Sequence, residues 1–190
     1  MADLSDAECL VRIAAQDAHA FTELLRRYQD RVVNLVYRML GDWDTALDVA
    51  QDAFLRIHQR ATTFRPEGNA KSWILTVAVN VARDHLRRKP RIVFLEHFEA
   101  TAGEGGRGRG TPASHTPPEL LEQEELRARV REAVARMAEF PRTVLLLRDF
   151  EGLAYDEIAE VLECEIGTVK SRIHRARKQF QEIFEELDAK

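Results

Sequence analysis

The clearest chemical pattern in the sequence is a basic helix face near the C-terminus. From Ile166 onward, apolar residues recur every three or four positions, which predicts a helix with one buried stripe. Between Ile166 and Gln181 there are five Lys or Arg residues and no acidic residue, although the whole chain has a net charge of -4. Basic side chains on one helix face can reach DNA phosphates or guanine edges in the major groove. The candidate contacts are Thr168, Lys170, Ser171, Arg172, His174, Arg175 and Lys178.

A solvated amphipathic helix would show the same charged face, so the preceding segment decides between the two interpretations. Residues 155–162 predict a short helix with Ile158, Ala159 and Leu162 on one side, only a few residues before the basic helix. Two helices joined by so tight a connection have the layout of a helix-turn-helix. We therefore favour recognition of duplex DNA.

A second polar pattern lies on a helix predicted from about Asn69 to Arg88. Its wide apolar surface leaves only a narrow polar stripe, and the preceding loop adds aromatic and basic residues. An unpaired DNA strand needs cations for its phosphates and aromatic faces or pockets for its bases, and this region offers both. Taken singly, Phe64 and Trp73 are also typical core residues. The candidate contacts are Phe64, Arg65, Asn69, Lys71, Trp73, Asn80, Arg83, Arg87 and Arg88.

A third pattern places Asp48, Gln51, Asp52 and Arg56 on one face of a helix that begins near residues 42–44. Polar residues at this spacing usually indicate only a helix face that is exposed to solvent. Paired carboxylates such as Asp48 and Asp52 could also serve an enzyme as acid and base or as metal ligands. However, the sequence contains no phosphate-binding glycine loop, nucleophile elbow or histidine-rich metal pattern, so we expect no enzyme.

The elements that must position these residues are all predicted to be helical. The expected architecture is all-α, with two small helical domains over residues 1–91 and 118–190. In the first domain, a long helix ends at Gly41 and is followed by helices from residue 42 and residue 69. In the second, helices are predicted over 120–138, 141–150, 155–162 and 168–187, the last two forming the helix-turn-helix.

Residues 92–117 are predicted to be a flexible linker. Five of the nine glycines and four of the six prolines lie between Pro90 and Pro118. The tract over 103–110 cannot bury enough apolar surface to offset the entropy of ordering it. Its two arginines, Arg107 and Arg109, could instead bind RNA, but two positive charges give only a weak electrostatic attraction to a nucleic acid.

The composition indicates a cytoplasmic protein without a metal or another cofactor. Cys9 and Cys164 are far apart and have no neighbouring Cys or His at ligand spacing, so neither a disulfide framework nor a zinc site is expected. The first residues are acidic and lack the apolar run of a secretion signal. The longest uncharged stretch, residues 72–82, is too short to span a bilayer, so no membrane insertion is expected.

Two separate stretches resemble the extracytoplasmic-function sigma factors. Residues 145–159, LLLRDFEGLAYDEIA, with residues 167–177, GTVKSRIHRAR, resemble region four of that family. Phe64 and Arg65, with Trp73, the AVN of residues 78–80, Asp84 and the arginines at 87 and 88, resemble region two. The resemblance implies that the C-terminal helix reads the promoter minus-thirty-five element. It also implies that the 64–71 loop and Asn80 capture a flipped base of the minus-ten element.

The same resemblance implies the partners. Asp48, Gln51, Asp52 and Leu55 would dock on the coiled coil of the RNA polymerase beta-prime subunit, and the beta flap of the core is a further expected contact. Promoter DNA and an anti-sigma factor that clamps both domains are also implied. The chain departs from the family at Glu163, where glycine is usual, and at Glu165, where serine or proline is usual.

A stand-alone helix-turn-helix regulator is the alternative function. It would bind duplex DNA without polymerase, and its N-terminal domain would serve dimerisation or sensing. Such a protein should form a dimer and need a palindromic site, whereas a sigma factor should be a monomer with weak DNA affinity of its own.

Overall fold

The computed structural model of the chain describes residues 4–88 and 117–189, with side chains from residue 122 onward in the second range. Every regular element in these two ranges is helical, which confirms the predicted all-α class. We call residues 4–88 the N-terminal block and residues 117–189 the C-terminal block. The predicted linker lies outside the described residues, apart from residue 117.

The N-terminal block contains four helices and a short 3₁₀ turn over Ala61–Thr63. The helices are α1 (Asp6–Ala14), α2 (Ala18–Leu40), α3 (Trp43–Arg60) and α4 (Ala70–Arg88). Gly41 follows α2 with a φ of 85°, a left-handed conformation that glycine adopts without steric cost, so the predicted helix end is confirmed. Asp42 then caps α3 by accepting a 2.8 Å hydrogen bond from the Thr45 amide.

Helix α1 was not anticipated, although its start carries a recognisable sequence signal. The Ser5 hydroxyl accepts a hydrogen bond from the Glu8 amide, and the Glu8 carboxylate accepts one from the Ser5 amide. This reciprocal capping box is encoded by serine followed three residues later by glutamate. The helix buries Cys9, Leu10 and Ile13 completely, so it belongs to the core.

The C-terminal block contains four further helices. They are α5 (Pro117–Arg136), α6 (Glu139–Leu145), α7 (Tyr155–Val161) and α8 (Ile166–Asp188). The predicted helix over 141–150 begins two residues earlier than expected and continues after Leu145 as a π-helical turn, Leu146–Phe150. Leu146 and Leu147 within this turn are fully buried.

The two blocks pack against each other, which the sequence analysis did not foresee. Helix α7 lies against α4, and α2 contacts both α5 and α6. Arg142 of α6 is 2% exposed, and its guanidinium donates 2.8 Å hydrogen bonds to the Met39 carbonyl in the last turn of α2 and to the Met137 carbonyl. A buried cation at a helix C-terminus satisfies carbonyls that the helix leaves unpaired.

Candidate nucleic-acid interface

The turn between α7 and α8 has the hydrogen bonds of a Schellman motif. The Cys164 amide donates to the Ala159 carbonyl at 3.0 Å and the Glu163 amide to the Glu160 carbonyl at 3.2 Å. Glu163 holds the left-handed position with a φ of 49°. The chain therefore keeps the turn geometry that glycine would give and tolerates the strain of a side chain there.

The predicted basic face of α8 is exposed. Val169, Ile173 and Ala176 are buried and form the inner stripe of the helix. Five of the seven candidate contacts face solvent, namely Lys170, Ser171, His174, Arg175 and Lys178. Their side chains are thus available to a DNA groove without movement of the helix.

The other two α8 candidates, Thr168 and Arg172, are half-buried. The Thr168 carbonyl accepts a 2.9 Å hydrogen bond from the Ser171 hydroxyl. The Arg172 guanidinium lies 4.3 Å from the centroid of the Phe140 ring of α6, a cation–π contact within the C-terminal block. These two residues are more constrained than the other five.

The candidates before and along α4 are not brought to one open surface. Arg65, Asn69, Arg87 and Arg88 are exposed, whereas Lys71, Trp73, Asn80 and Arg83 are half-buried and Phe64 is buried. The Phe64 and Trp73 rings meet edge to face at 5.8 Å, as a core pair would. The structure therefore gives these two aromatic residues a packing role at the base of the loop.

Three of these candidates contact the C-terminal block. The Asn69 amide nitrogen donates to the Glu157 carboxylate of α7, while its oxygen caps α4 at the Ser72 amide. The Lys71 ammonium donates to the backbone carbonyl of Glu151. The Arg83 guanidinium lies 6.0 Å from the centroid of the same Phe140 ring that Arg172 contacts.

Glu151 is the central charged group between the blocks. It is 8% exposed, and its carboxylate lies 3.1 Å from the Arg31 guanidinium of α2. Burial raises the pKa of this carboxyl above its ordinary value, although the positive charges of Arg31, Lys71 and Arg38 oppose that shift. Sequence reasoning missed this residue because its partners are more than 70 positions away.

The predicted polymerase-docking face of α3 is exposed at all four positions: Asp48, Gln51, Asp52 and Leu55. A groove of about 340 Å³ runs between α2 and α3 beside them, with an apolar lining that includes Phe21 and Phe54. Leu47 and Leu55 are large apolar side chains that remain 44% and 53% exposed at this groove. The sequence analysis did not single out Leu47.

Within residues 4–88 and 117–189, no three His, Cys, Asp or Glu side chains are grouped so that they could hold a metal ion. Among the helices of the same two ranges, none is long and apolar enough to cross a membrane.

Two family models match the chain, in the order of the two blocks. Sigma-70 region 2 matches residues 24–92, and sigma-70 region 4 matches residues 127–180. The first match contains α4 and the α3 face, and the second contains the helix-turn-helix.

Curated relatives match over almost the whole chain. The RNA polymerase sigma-H factor of Pseudomonas aeruginosa is 33% identical over 187 residues, covering 96% of this chain and 95% of the relative. The ECF RNA polymerase sigma-E factor of Escherichia coli strain K12 is 35% identical over 178 residues, covering 92% of both chains.

Solved structures share the fold. The structure of CnrH in complex with the cytosolic domain of CnrY matches with a TM-score of 0.67 and 21% identity over 97% of each chain. The sigma factor RpoE of Bartonella quintana, solved in complex with the anti-sigma factor NepR, matches with a TM-score of 0.63 and 23% identity. That match covers 87% of this chain and 96% of RpoE.

Proposed function

The chain belongs to the extracytoplasmic-function group of the sigma-70 family, and from this premise we propose how its two blocks divide promoter recognition. A member of this family is a transcription initiation factor that binds core RNA polymerase and directs it to promoters. The proposal assigns core docking and the minus-ten element to residues 1–91, and the minus-thirty-five element to residues 118–190. Residues 92–117 then serve as the connection between the two domains.

The exposed basic face of α8 is the observation that carries the proposal. In a helix-turn-helix, the second helix enters the major groove, and its N-terminal residues read base edges. Lys170, Ser171 and His174 lie closest to the start of this face, and Arg175 and Lys178 continue it along the helix. We assign the first three to base contacts and the last two to phosphates.

The loop before α4 and the polar stripe of α4 are proposed to bind the unpaired strand at the minus-ten element. Asn69 and Lys71 offer an amide and an ammonium to base edges and phosphates, and Asn80 offers a second amide farther along the helix. Arg87 and Arg88 at the end of α4 are exposed and would hold the adjoining duplex. Promoter melting of this kind needs binding energy for the open strand, so we assign no catalytic activity to the chain.

The exposed α3 face is proposed to dock on the beta-prime coiled coil of the polymerase core. Leu47 and Leu55 add exposed apolar area beside the acidic Asp48 and Asp52. An apolar contact rimmed by charges is typical of a specific protein interface. The beta flap of the core is proposed as a second contact.

An anti-sigma factor is proposed as the regulatory partner. CnrH and RpoE were each solved with another protein, which for RpoE is an anti-sigma factor, and their fold is shared with this chain. We further propose that the protein works in the cytoplasm, where the polymerase is.

A reconstituted transcription assay tests the proposed function. Purified core polymerase would be mixed with genomic DNA fragments, with and without the protein, and new start sites would be mapped. We expect new starts that share two spaced promoter elements. A stable dimer that footprints a palindrome without polymerase, and gives no new starts, would instead support a stand-alone regulator, a reading that the match to sigma-70 region 2 disfavours.

A further inference from the structure

Arg56 lies on α3, but its guanidinium group belongs to a cluster of charges at the end of α4. Arg56 Nη1 donates a 3.4 Å hydrogen bond to the Asp84 carboxylate of α4. Arg87, about one turn further along α4, donates to the other oxygen of the same carboxylate. Residues from two helices therefore form one cluster, which we call the Arg56–Asp84–Arg87 triad.

The charges of the triad suit it to an anion. The hydrogen bond from Arg87 lowers the pKa of Asp84, so this carboxylate is ionised at neutral pH and balances one of the two guanidinium groups. Each bond to Asp84 uses one nitrogen of a guanidinium group that carries five N–H donors. The side chains of Arg56 and Arg87 are 38% and 74% exposed. Both can therefore reach an anion in solvent while they remain bonded to Asp84.

We propose that Arg56 is a further DNA contact: Arg56 and Arg87 bind two phosphates of the duplex beside the minus-ten element, and Asp84 holds the two guanidinium groups together. This inference rests on the proposed function, because Arg87 is one of the residues proposed to hold that duplex. It adds α3, otherwise assigned to core docking, to the elements that contact DNA.

The charge of the neighbouring docking face argues against a role of Arg56 in core binding. Asp48 and Asp52 are exposed on that face, and a partner surface that complements them carries positive charge. Such a surface would repel the Arg56 guanidinium. A DNA phosphate has the opposite charge, and it accepts two parallel hydrogen bonds from an arginine. Duplex DNA therefore fits Arg56 better than the polymerase core does.

The test measures binding of the holoenzyme, assembled with the full chain, to a promoter found in the transcription assay. The Kd is measured at several salt concentrations and at a temperature at which the promoter stays double-stranded. Arg56→Gln, Arg87→Gln and the double variant are compared with the unmodified protein. Arg26→Gln is the matched control, because Arg26 also shares a carboxylate with a second arginine, at Glu23 of α2.

Each single loss should remove one phosphate contact. Arg56→Gln should raise the Kd about fivefold and lower the salt dependence of log Kd by about one unit, and Arg87→Gln should do the same. The double variant should lose about two units, whereas Arg26→Gln should lose none. A double variant no weaker than Arg87→Gln alone would show that Arg56 acts only through Arg87, and this would overturn the inference.

The position of each contact is mapped on the DNA by replacing one phosphate at a time with an uncharged methylphosphonate. With the unmodified protein, replacements beside the minus-ten element should weaken binding. Arg56→Gln should become insensitive to one of these replacements and Arg87→Gln to another, because the missing charge can be lost only once. Arg56→Lys keeps the charge and should retain most of the salt dependence. If Arg56→Gln keeps the full sensitivity at every phosphate, the inference is wrong.

Core binding and transcription separate failure of this inference from failure of the proposed function. Arg56→Gln should leave the Kd for polymerase core unchanged. If that Kd rises as much as the Kd for the promoter, Arg56 belongs to the docking face, and the inference fails while the proposed function stands. If the unmodified protein gives no new start sites with core polymerase, the proposed function itself fails.

Discussion

The two surfaces proposed to contact the promoter differ in what covers them. The α8 face presents five of its seven candidate side chains to solvent, and its buried residues belong to its inner stripe. The surface around the start of α4 is partly occupied, because Asn69 and Lys71 already bond acceptors in the C-terminal block. The first surface is therefore largely exposed, whereas the second is partly occupied by contacts with the C-terminal block.

This difference corresponds to the two states of promoter DNA. The minus-thirty-five element is read as an intact duplex, whose groove is accessible from the start. An unpaired minus-ten strand exists only after bases have left the stack, which costs a few kcal/mol.

The largest expected effect is on the proposed minus-ten surface. Asn80→Ala should lower open-complex formation by the holoenzyme about tenfold or more, because an amide that binds an extruded base is lost. Core binding should be unchanged. The assay is permanganate footprinting of a mapped promoter, with Asn34→Ala as the matched control, since the Asn34 amide donates to the Asp30 carbonyl of its own helix. Loss of core binding by Asn80→Ala would show a structural role instead.

The second prediction concerns the open surface. Arg175→Ala should weaken binding of the holoenzyme to the minus-thirty-five element about tenfold and reduce the salt dependence of log Kd by about one unit, because one phosphate contact is lost. Titration at several salt concentrations measures both. Arg127→Ala, on the exposed side of α5, is the control of equal charge. An identical salt slope in the two variants would contradict a phosphate contact by Arg175.

The third prediction separates core docking from both DNA surfaces. Asp52→Ala should raise the Kd for polymerase core about fivefold, because an exposed charge at the rim of an interface contributes about 1 kcal/mol. Fluorescence anisotropy with labelled protein measures the change, and Asp30→Ala on the exposed side of α2 serves as the control. An unchanged Kd for Asp52→Ala would refute the assigned docking face.

The fourth prediction uses pH to sharpen the contrast between covered and open surfaces. Burial between the two blocks raises the pKa of Glu151 above its ordinary value of 4.5, so contact between the blocks favours the protonated carboxyl. This contribution is fully present below the ordinary pKa and is lost as the pH rises through the raised one. The charged groups that face Glu151 are Arg31 and Arg38 of α2 and Lys71 of α4.

Acidification from neutral pH towards the ordinary pKa of a glutamate should therefore favour contact between the two blocks and compact the free protein. Small-angle scattering of the unmodified protein across this range measures the shift. Glu151→Gln should abolish the dependence, because it removes the titrating group. An equal pH dependence in that variant would assign the effect to another residue.

The smallest expected effect is in the turn that presents α8. Glu163→Gly should raise the free energy of unfolding by about 0.5 kcal/mol, because the relief of left-handed strain exceeds the extra conformational entropy that glycine loses on folding. Thermal denaturation measures the change. Glu160→Gly, within α7, should change stability by a similar amount in the opposite direction. A destabilised Glu163→Gly variant would show that the Glu163 side chain makes a compensating contact.

Local patterns of the sequence predicted most of the fold. The ends of α2 and α4, the inner stripe of α8 and the exposed α3 face follow from residues within a few positions of one another. Helix α1 was missed although Ser5 and Glu8 encode its capping box, so a local signal was available. The π-helical turn was not predictable, because the spacing of its apolar residues also fits an α-helix.

The candidate site was harder to predict where it depends on contacts between distant residues. The basic face of α8 could be found from its own spacing. The pairing of Lys71 with Glu151 and of Asn69 with Glu157 joins residues 80 and 88 positions apart, and no periodicity encodes such a pair. The sequence analysis predicted two separate domains from the proline and glycine content of the linker. That composition carries no information about whether the two domains contact each other.

Arg142 has a consequence for how this chain can evolve and be engineered. Its guanidinium completes the last turn of a helix that belongs to the other block, through the Met39 carbonyl, as well as the Met137 carbonyl in its own block. One block therefore cannot be exchanged for that of a relative without regard to this contact. A chimera can take its C-terminal block from a relative that has no arginine at this position. The Met39 carbonyl at the end of α2 would then lose this hydrogen bond. Chimeric proteins designed to change the promoter specificity should keep an arginine at this position.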